Sequence, residues 1–295
     1  MNGPTTQHTT RTTGGRRRTA SRTRLTGLTA GVTAALAVAT LSGCGAADSG
    51  NAAAPALTSS EPMVSGVYYM LDTRLGPRLA RELRTLPGER PGVEAVRRMI
   101  AGAHDPDYAT AWNPRTKVLG VSRPGNVIRV NLPHQARRAS IGSAGAALMV
   151  QQLVYTVTEP IDRKAPVRLL IDGRPAGELW GAVVWDEPVR RAAPGKVRNL
   201  VQIDTPRERA TRTSPLRVRG EANAFEANVP WRVLTPKGRV VRRGNATTAE
   251  GFRFAPFTFT VRLRPGTYVV EVSEDDPSAG EAGPPMTDDK TVVIR

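Results

Sequence analysis

The chain has 295 residues, with 42 Lys and Arg against 26 Asp and Glu, a formal charge of +16 and a single cysteine. That length is enough for two ordinary domains, and one cysteine excludes an intrachain disulfide framework. The basic excess is almost wholly arginine, 37 against 5 lysines, with Ala, Gly and Pro abundant; beyond residue 43 no run of five or six like charges occurs and basic residues are not interleaved with aromatics, so nucleic acid is excluded as a partner.

The first element is a leader. Arg16, Arg17, Arg18, Arg22 and Arg24 precede a 17-residue apolar segment, Leu25 to Leu41, the order of charge and hydropathy of a secretory signal over 1–43. The segment closes on Leu41-Ser42-Gly43-Cys44, which resembles the lipobox of bacterial lipoproteins. The resemblance implies cleavage before Cys44, a thioether-linked lipid on its sulfur, and a chain held on the extracytoplasmic face of the cell membrane. An uncleaved anchor reaching from Leu25 to Ala47 and a buried structural cysteine are the other readings of the same residues, and general secretion is preferred to a twin-arginine route because Thr19, Ala20 and Ser21 follow Arg17-Arg18. Removal of 1–43 takes six arginines and lowers the formal charge to about +10. Residues 44–63, rich in Ala, Ser, Gly and Asn, read as the lipidated cysteine and a flexible tether.

Residues 64–185 mix strands and helices. Val67 to Leu71 is a short apolar run that fits a buried strand, and 79–86 is ambiguous between helix and strand. Val93, Val96, Ile100 and Ala103 have helical spacing after Pro91-Gly92, with Gly102 near the end. A hairpin follows: 118–121, the Pro124-Gly125-Asn126 turn, then Ile128, Val130 and Leu132. Ser140 or Ser143 opens a longer helix to about Thr158, apolar on most of its circumference, and Val167, Leu169 and Ile171 form a strand ended by Asp172-Gly173. This order, with the wording KVLGVSRPGNVIRVNL and LMVQQLVYTVTEPIDRKAPVRLLIDGRP, resembles the GerMN domain of spore-germination-type lipoproteins. The resemblance implies a small α+β fold similar to ring-building motifs, a helix pair on a sheet, and no enzymatic activity.

The periodicity breaks at 186–197, read as a linker. From 198 to 295 it switches to two: Val201 and Ile203, Leu216 and Val218, Val229, Trp231 and Val233, then Phe257 to Leu263 and Tyr268 to Val272, with turns at Pro236-Lys237-Gly238 and Pro265-Gly266. About seven short strands predict a β-sandwich whose core is supplied by Trp231 and the five Phe between 225 and 259. The wording VQIDTP, RVRGEANAFEANVPWRVL and FTFTVRLRPGTYVVEVSE resembles the immunoglobulin-like domain of bacterial spore germination, and its pairing with a GerMN domain in one lipoprotein is a known arrangement. The fold class is therefore α+β followed by an all-β sandwich.

No catalytic, cofactor or metal constellation emerges. Ile141-Gly142-Ser143-Ala144-Gly145 lacks the first Gly of a nucleophile elbow, and Ser143 reads as a helix cap. His104 and His134 read as surface residues. Seven carboxylates between Glu271 and Asp289 offer hard ligands for Ca²⁺, but their spacing fits no EF-hand, and Pro277, Pro284 and Pro285 point to a solvated loop. Trp112, Trp180 and Trp185 read either as a sugar-stacking surface or as sheet-edge residues. The functional expectation is a non-catalytic, lipid-anchored envelope protein that binds a protein partner or itself, with an anionic wall polymer as a further possible ligand. The alternative is a ligand- or glycan-binding lipoprotein accessory to wall remodelling. Germination belongs to the family label and does not fix the process in which this chain acts.

Overall fold

The computed structural model describes residues 61–275, 281 and 283–295, all within one compact unit. The proposed lipobox, Leu41 to Cys44, and the acidic residue Asp276 lie outside the described residues. No described helix is long and apolar enough to cross a membrane.

The first lobe is built on a long antiparallel hairpin, β1 (Met63–Thr73) and β2 (Gly76–Leu86), in register from Met63 opposite Leu86 to Thr73 opposite Gly76. Residues 65–70 of β1 are all buried, which explains why its apolar run is continuous rather than alternating. The ambiguous stretch 79–86 is strand, because its partner β1 satisfies its backbone along the whole length. Helix α1 (Pro91–Ala101) ends at Gly102 with φ 96° and ψ 167°, an extended positive-φ conformation that glycine adopts without strain. The two-residue strand β3 (Tyr108–Ala109) pairs with β1 only at Met70 and Leu71.

Further back along β1, helix α2 (Ser143–Thr158) takes the place of a third strand. Tyr68 donates its backbone N–H to Thr156 Oγ1 at 3.1 Å, and its carbonyl accepts from Gln152 Nε2 at 3.1 Å. Two polar residues of this helix thus satisfy backbone groups that would be orphaned. The helix begins at Gly142 without a side-chain cap, so Ser143 is its first residue and not the expected cap. Ile141 instead folds over the first turn, so close to Gly145 that a Cβ there would stand 2.5 Å from it.

Strands β4 (Gly120–Ser122), β5 (Ile128–Leu132), β6 (Val167–Ile171) and β7 (Arg174–Pro175) make a second sheet. The pair β5 and β6 is parallel, with α2 as its crossover. A small hairpin, β8 (Gly177–Leu179) with β9 (Val183–Trp185), closes the lobe. The linker segment 186–197 is tied down: Val189 exchanges two backbone hydrogen bonds of 2.8 Å with Val167, and Arg191 reaches Thr158 Oγ1, the Tyr155 carbonyl and Glu159 at the end of α2. A cation there also offsets the negative end of the helix dipole. A single turn of helix, α3 (Pro194–Val197), leads into the second lobe.

That lobe is a sandwich. Strands β10 (Val201–Thr205), β12 (Leu216–Asn223) and β15 (Phe254–Val261) form one antiparallel sheet. The other has the order β11 (Ala210–Arg212), β17 (Thr287–Ile294), β16 (Gly266–Ser273), β13 (Asn228–Leu234), β14 (Val240–Thr247), with β11 parallel to β17. Its core is chiefly branched aliphatic, not the expected aromatic cluster; of the five Phe only Phe257 is buried. Trp231 is half-buried, stacked on Phe259 with centroids 4.5 Å apart, and lies over Gly244, where a Cβ would stand 2.5 Å from the indole. Phe225 and Phe252 pair edge to face at a loop tip, with Phe252 69% exposed.

Candidate functional site

The densest polar chemistry among the described residues lies between the two lobes. Lys290, on β17, is 3% exposed, and its ammonium sits 2.9 Å from Asp105 of the first lobe and 2.7 Å from Asp288 of its own strand. It also donates to Tyr108 Oη at 3.0 Å and to the Asp289 carbonyl at 2.7 Å. Tyr108, on β3, donates to Asp288 Oδ1 at 2.7 Å, and the other oxygen of Asp288 accepts the backbone N–H of Ile203 at 2.6 Å. One lysine thus ties β3, β10 and β17 together. Burial opposes its charge, but Asp288 and Asp105 outweigh that and hold its pKa above the ordinary lysine value.

A second group of ion pairs lies on β2. Arg81 grips Asp204 through two hydrogen bonds, Nε to Oδ1 at 2.9 Å and Nη2 to Oδ2 at 2.7 Å, and its Nη2 lies 2.9 Å from Glu221. The Arg81 carbonyl accepts from Gln202. Arg198 completes the set, 2.9 Å from Glu221 and with its guanidinium 4.0 Å from the centre of the Phe254 ring. Burial works against the charge on Glu221, yet Arg81 and Arg198 keep its carboxyl below the usual range. Asn199 donates its backbone N–H to Leu79 at 2.9 Å, and Arg74 pairs with Glu274 at 2.7 Å. A cavity of about 100 Å³ between Arg84, His104, Asp105, Arg207 and Glu208 separates parts of this junction; that is room for a few waters rather than a substrate.

The acidic stretch read as a solvated loop is therefore used differently. Glu271 lies within β16 and pairs with Arg232 at 2.6 Å, Glu274 is buried against Arg74, and Asp288 and Asp289 belong to β17. No group of three or more His, Cys, Asp or Glu among the described residues has a metal-holding arrangement. Asp289 is the exception to pairing: burial, reinforced by Asp107 and Asp288, pushes its pKa up to about 7.

His104 lies 2.7 Å from Arg84 through Nδ1, and its backbone N–H donates to Glu82, while His134 is an exposed residue 3.9 Å from Asp172. The tryptophans do not form a stacking platform. Trp112 and Trp185 are 2% and 1% exposed, Trp180 packs edge to face on Trp112 at 5.4 Å, and its Nε1 donates to the Ala136 carbonyl at 3.0 Å. Their faces are spent in the core, so the sugar-stacking reading of these three residues is set aside. The junction residues were missed from sequence; the one available signal was charge inside a period-two pattern, Asp288 and Lys290 on the face that carries Val292 and Ile294.

Residues 67–177 match the family described as sporulation and spore germination, and residues 200–281 match the immunoglobulin-like domain of bacterial spore germination. The chain thus carries a region of the sporulation and spore germination type followed by one of the immunoglobulin-like germination type. No curated protein matches it. Among solved structures, the tandem GerMN domains of the sporulation protein GerM from Bacillus subtilis are 17% identical, with a TM-score of 0.38 over 48% of this chain and 50% of that one. This chain spans half the length of that tandem. The first GerMN domain of the same protein is 17% identical at a TM-score of 0.31, over 43% of this chain and 97% of that one. A putative lipoprotein from Clostridium perfringens is also 17% identical at a TM-score of 0.31, over 43% and 86%. Neither germination family is one of known enzymes.

Two substitutions test the junction between the germination-type lobes. Lys290→Met leaves Asp105 and Asp288 buried without a cation and is expected to cost about 3–5 kcal/mol by urea unfolding at pH 7, with partial recovery near pH 4 as the carboxyls take up protons. Asp289→Asn acts in the opposite direction. The folded chain holds the Asp289 proton up to about pH 7, whereas an ordinary carboxyl of pKa 3.8 has released it, so stability falls as pH rises between those values. Asp289→Asn should flatten that part of the stability–pH curve and gain roughly 1–2 kcal/mol at pH 8, a figure discounted because the carboxylate keeps contact with water.

Proposed function

We propose that this chain is a non-catalytic, lipid-anchored protein that assembles with protein partners at the outer face of the cytoplasmic membrane. The observation that carries the reading is the use of the buried ionisable groups in joining the lobes: Lys290 is bound by Asp105 and Asp288, and Arg81 by Asp204, across the junction instead of around a substrate.

What remains open is surface. On the first lobe an apolar groove of about 580 Å³ runs between the hairpin tip at Leu75, the start of α2 at Ala144 and Ala147, and Val183. Leu75, which lines it, stands 54% exposed. Apolar side chains held out on rigid hairpins are the material of protein–protein contacts. The anchor rests on the order of basic residues, apolar segment and Leu41-Ser42-Gly43-Cys44, and the tether gives the lobes reach from the bilayer.

The test is cell fractionation with cross-linking of the wild type and Cys44→Ala. The expected outcome is wild-type chain in the membrane fraction with an envelope-protein adduct, and the variant released to the soluble fraction without that adduct. Retention of Cys44→Ala in the membrane would favour an uncleaved apolar anchor, and a wild-type chain with no adduct would count against assembly.

A further inference from the structure

On the outward side of the three-stranded sheet, the first lobe covers only one end. There Asp204 and Glu221 are neutralised by Arg81 and Arg198. The uncovered remainder has a different character. Arg217 and Arg219 project from β12 opposite Thr260 and Thr258 of β15, and Arg262 follows one residue beyond the end of β15, next to the Leu216–Val261 pair. All three arginines are exposed, and none makes an ion pair among the described residues, whereas Arg81 and Arg198 at the covered end do. No carboxylate shares this open part of the face, since Glu221 is already held from the other side.

We infer that the Arg217–Arg219–Arg262 row is a binding surface for an extended anionic polymer that carries a phosphate in each repeat. Side chains two apart on a strand are about 6.8 Å apart, and adjacent strands are about 4.8 Å apart, so the three guanidiniums form a nearly even row. Each guanidinium offers a planar fork of donors that meets phosphate oxygens in pairs, which an ammonium does not. The Thr258 hydroxyl, donated to the Val218 carbonyl at 3.1 Å, and the Thr260 hydroxyl flank the row with further polar atoms. A bilayer surface fits less well: none of the exposed large apolar residues, Val64, Leu75, Leu119, Val184, Phe225, Val240 or Phe252, belongs to β10, β12 or β15. Base stacking has no exposed ring here either. The inference rests on charge and spacing alone and stands whether or not Cys44 carries a lipid.

The test is a salt titration of binding between the full chain and purified poly(glycerol phosphate), with vesicles containing phosphatidylglycerol as a second arm. The triple variant R217E/R219E/R262E is compared with R239E/R242E/R243E, which makes the same charge change on the β14 side, both with unfolding temperatures matched to the wild type. The row predicts a loss of at least about 30-fold and a log–log salt slope shallower by about 2 for the first variant, and less than about 3-fold for the second. Equal losses in both variants, no polymer binding by the wild type at low salt, or tighter binding to vesicles than to polymer through these arginines would overturn it.

Discussion

A lysine ammonium taken out of water must find its counter-charges inside the protein, and Lys290 finds them on both lobes at once. Asp105 comes from the segment after α1, Asp288 from the strand that carries the lysine, and Tyr108 from β3 closes the arrangement. Separating the lobes would leave the ammonium short of Asp105 and Tyr108, and Asp288 short of the tyrosine proton. Removing one partner from such a group costs far more than the group contributes when intact. The pairing therefore acts less as glue than as a condition: the sandwich and the α+β lobe keep low energy only in one relative arrangement. Arg81, held by Asp204 and Glu221, imposes the same condition from β2.

This constraint accounts for the character of the remaining surface. On the sandwich Asp204, Glu221 and Asp288 are drawn into the junction and Glu271 into a cross-strand pair with Arg232, while Arg217, Arg219 and Arg262 stay in water. The apolar groove beside Leu75 is shaped by the same arrangement, because Arg78 at the hairpin donates to the Lys196 carbonyl in α3 and holds the tip against the connection between lobes.

Much of the architecture was legible from periodicity. The span of α2, the hairpin around Pro124-Gly125, the strand at Val167 and the alternation in β12, β15 and β16 follow from apolar spacing and turn residues, which are local signals. What escaped is what depends on distant partners. Leu79 to Leu86 has helical spacing of leucines, and only pairing with β1 decides it as strand. Asp288 and Asp289 sit beside prolines and look like loop, yet Lys290 and Tyr108, the latter 180 residues from Asp288, turn the first of them into a buried strand residue. Trp231 and the phenylalanines promised a core by size, but aliphatic residues fill most of it; of the phenylalanines only Phe257 is buried, with Trp231 and Phe259 packed against its margin. Leu41 to Cys44, which the sequence reads as a lipobox, lies outside the described residues.

If the buried ion pairs make the two lobes one body, they must unfold together. Scanning calorimetry of the full chain at pH 7 measures this most directly. The account predicts a single transition whose van't Hoff and calorimetric enthalpies agree. Two resolved transitions, with near-ultraviolet circular dichroism tracking the tryptophan-rich first lobe in only one of them, would contradict it.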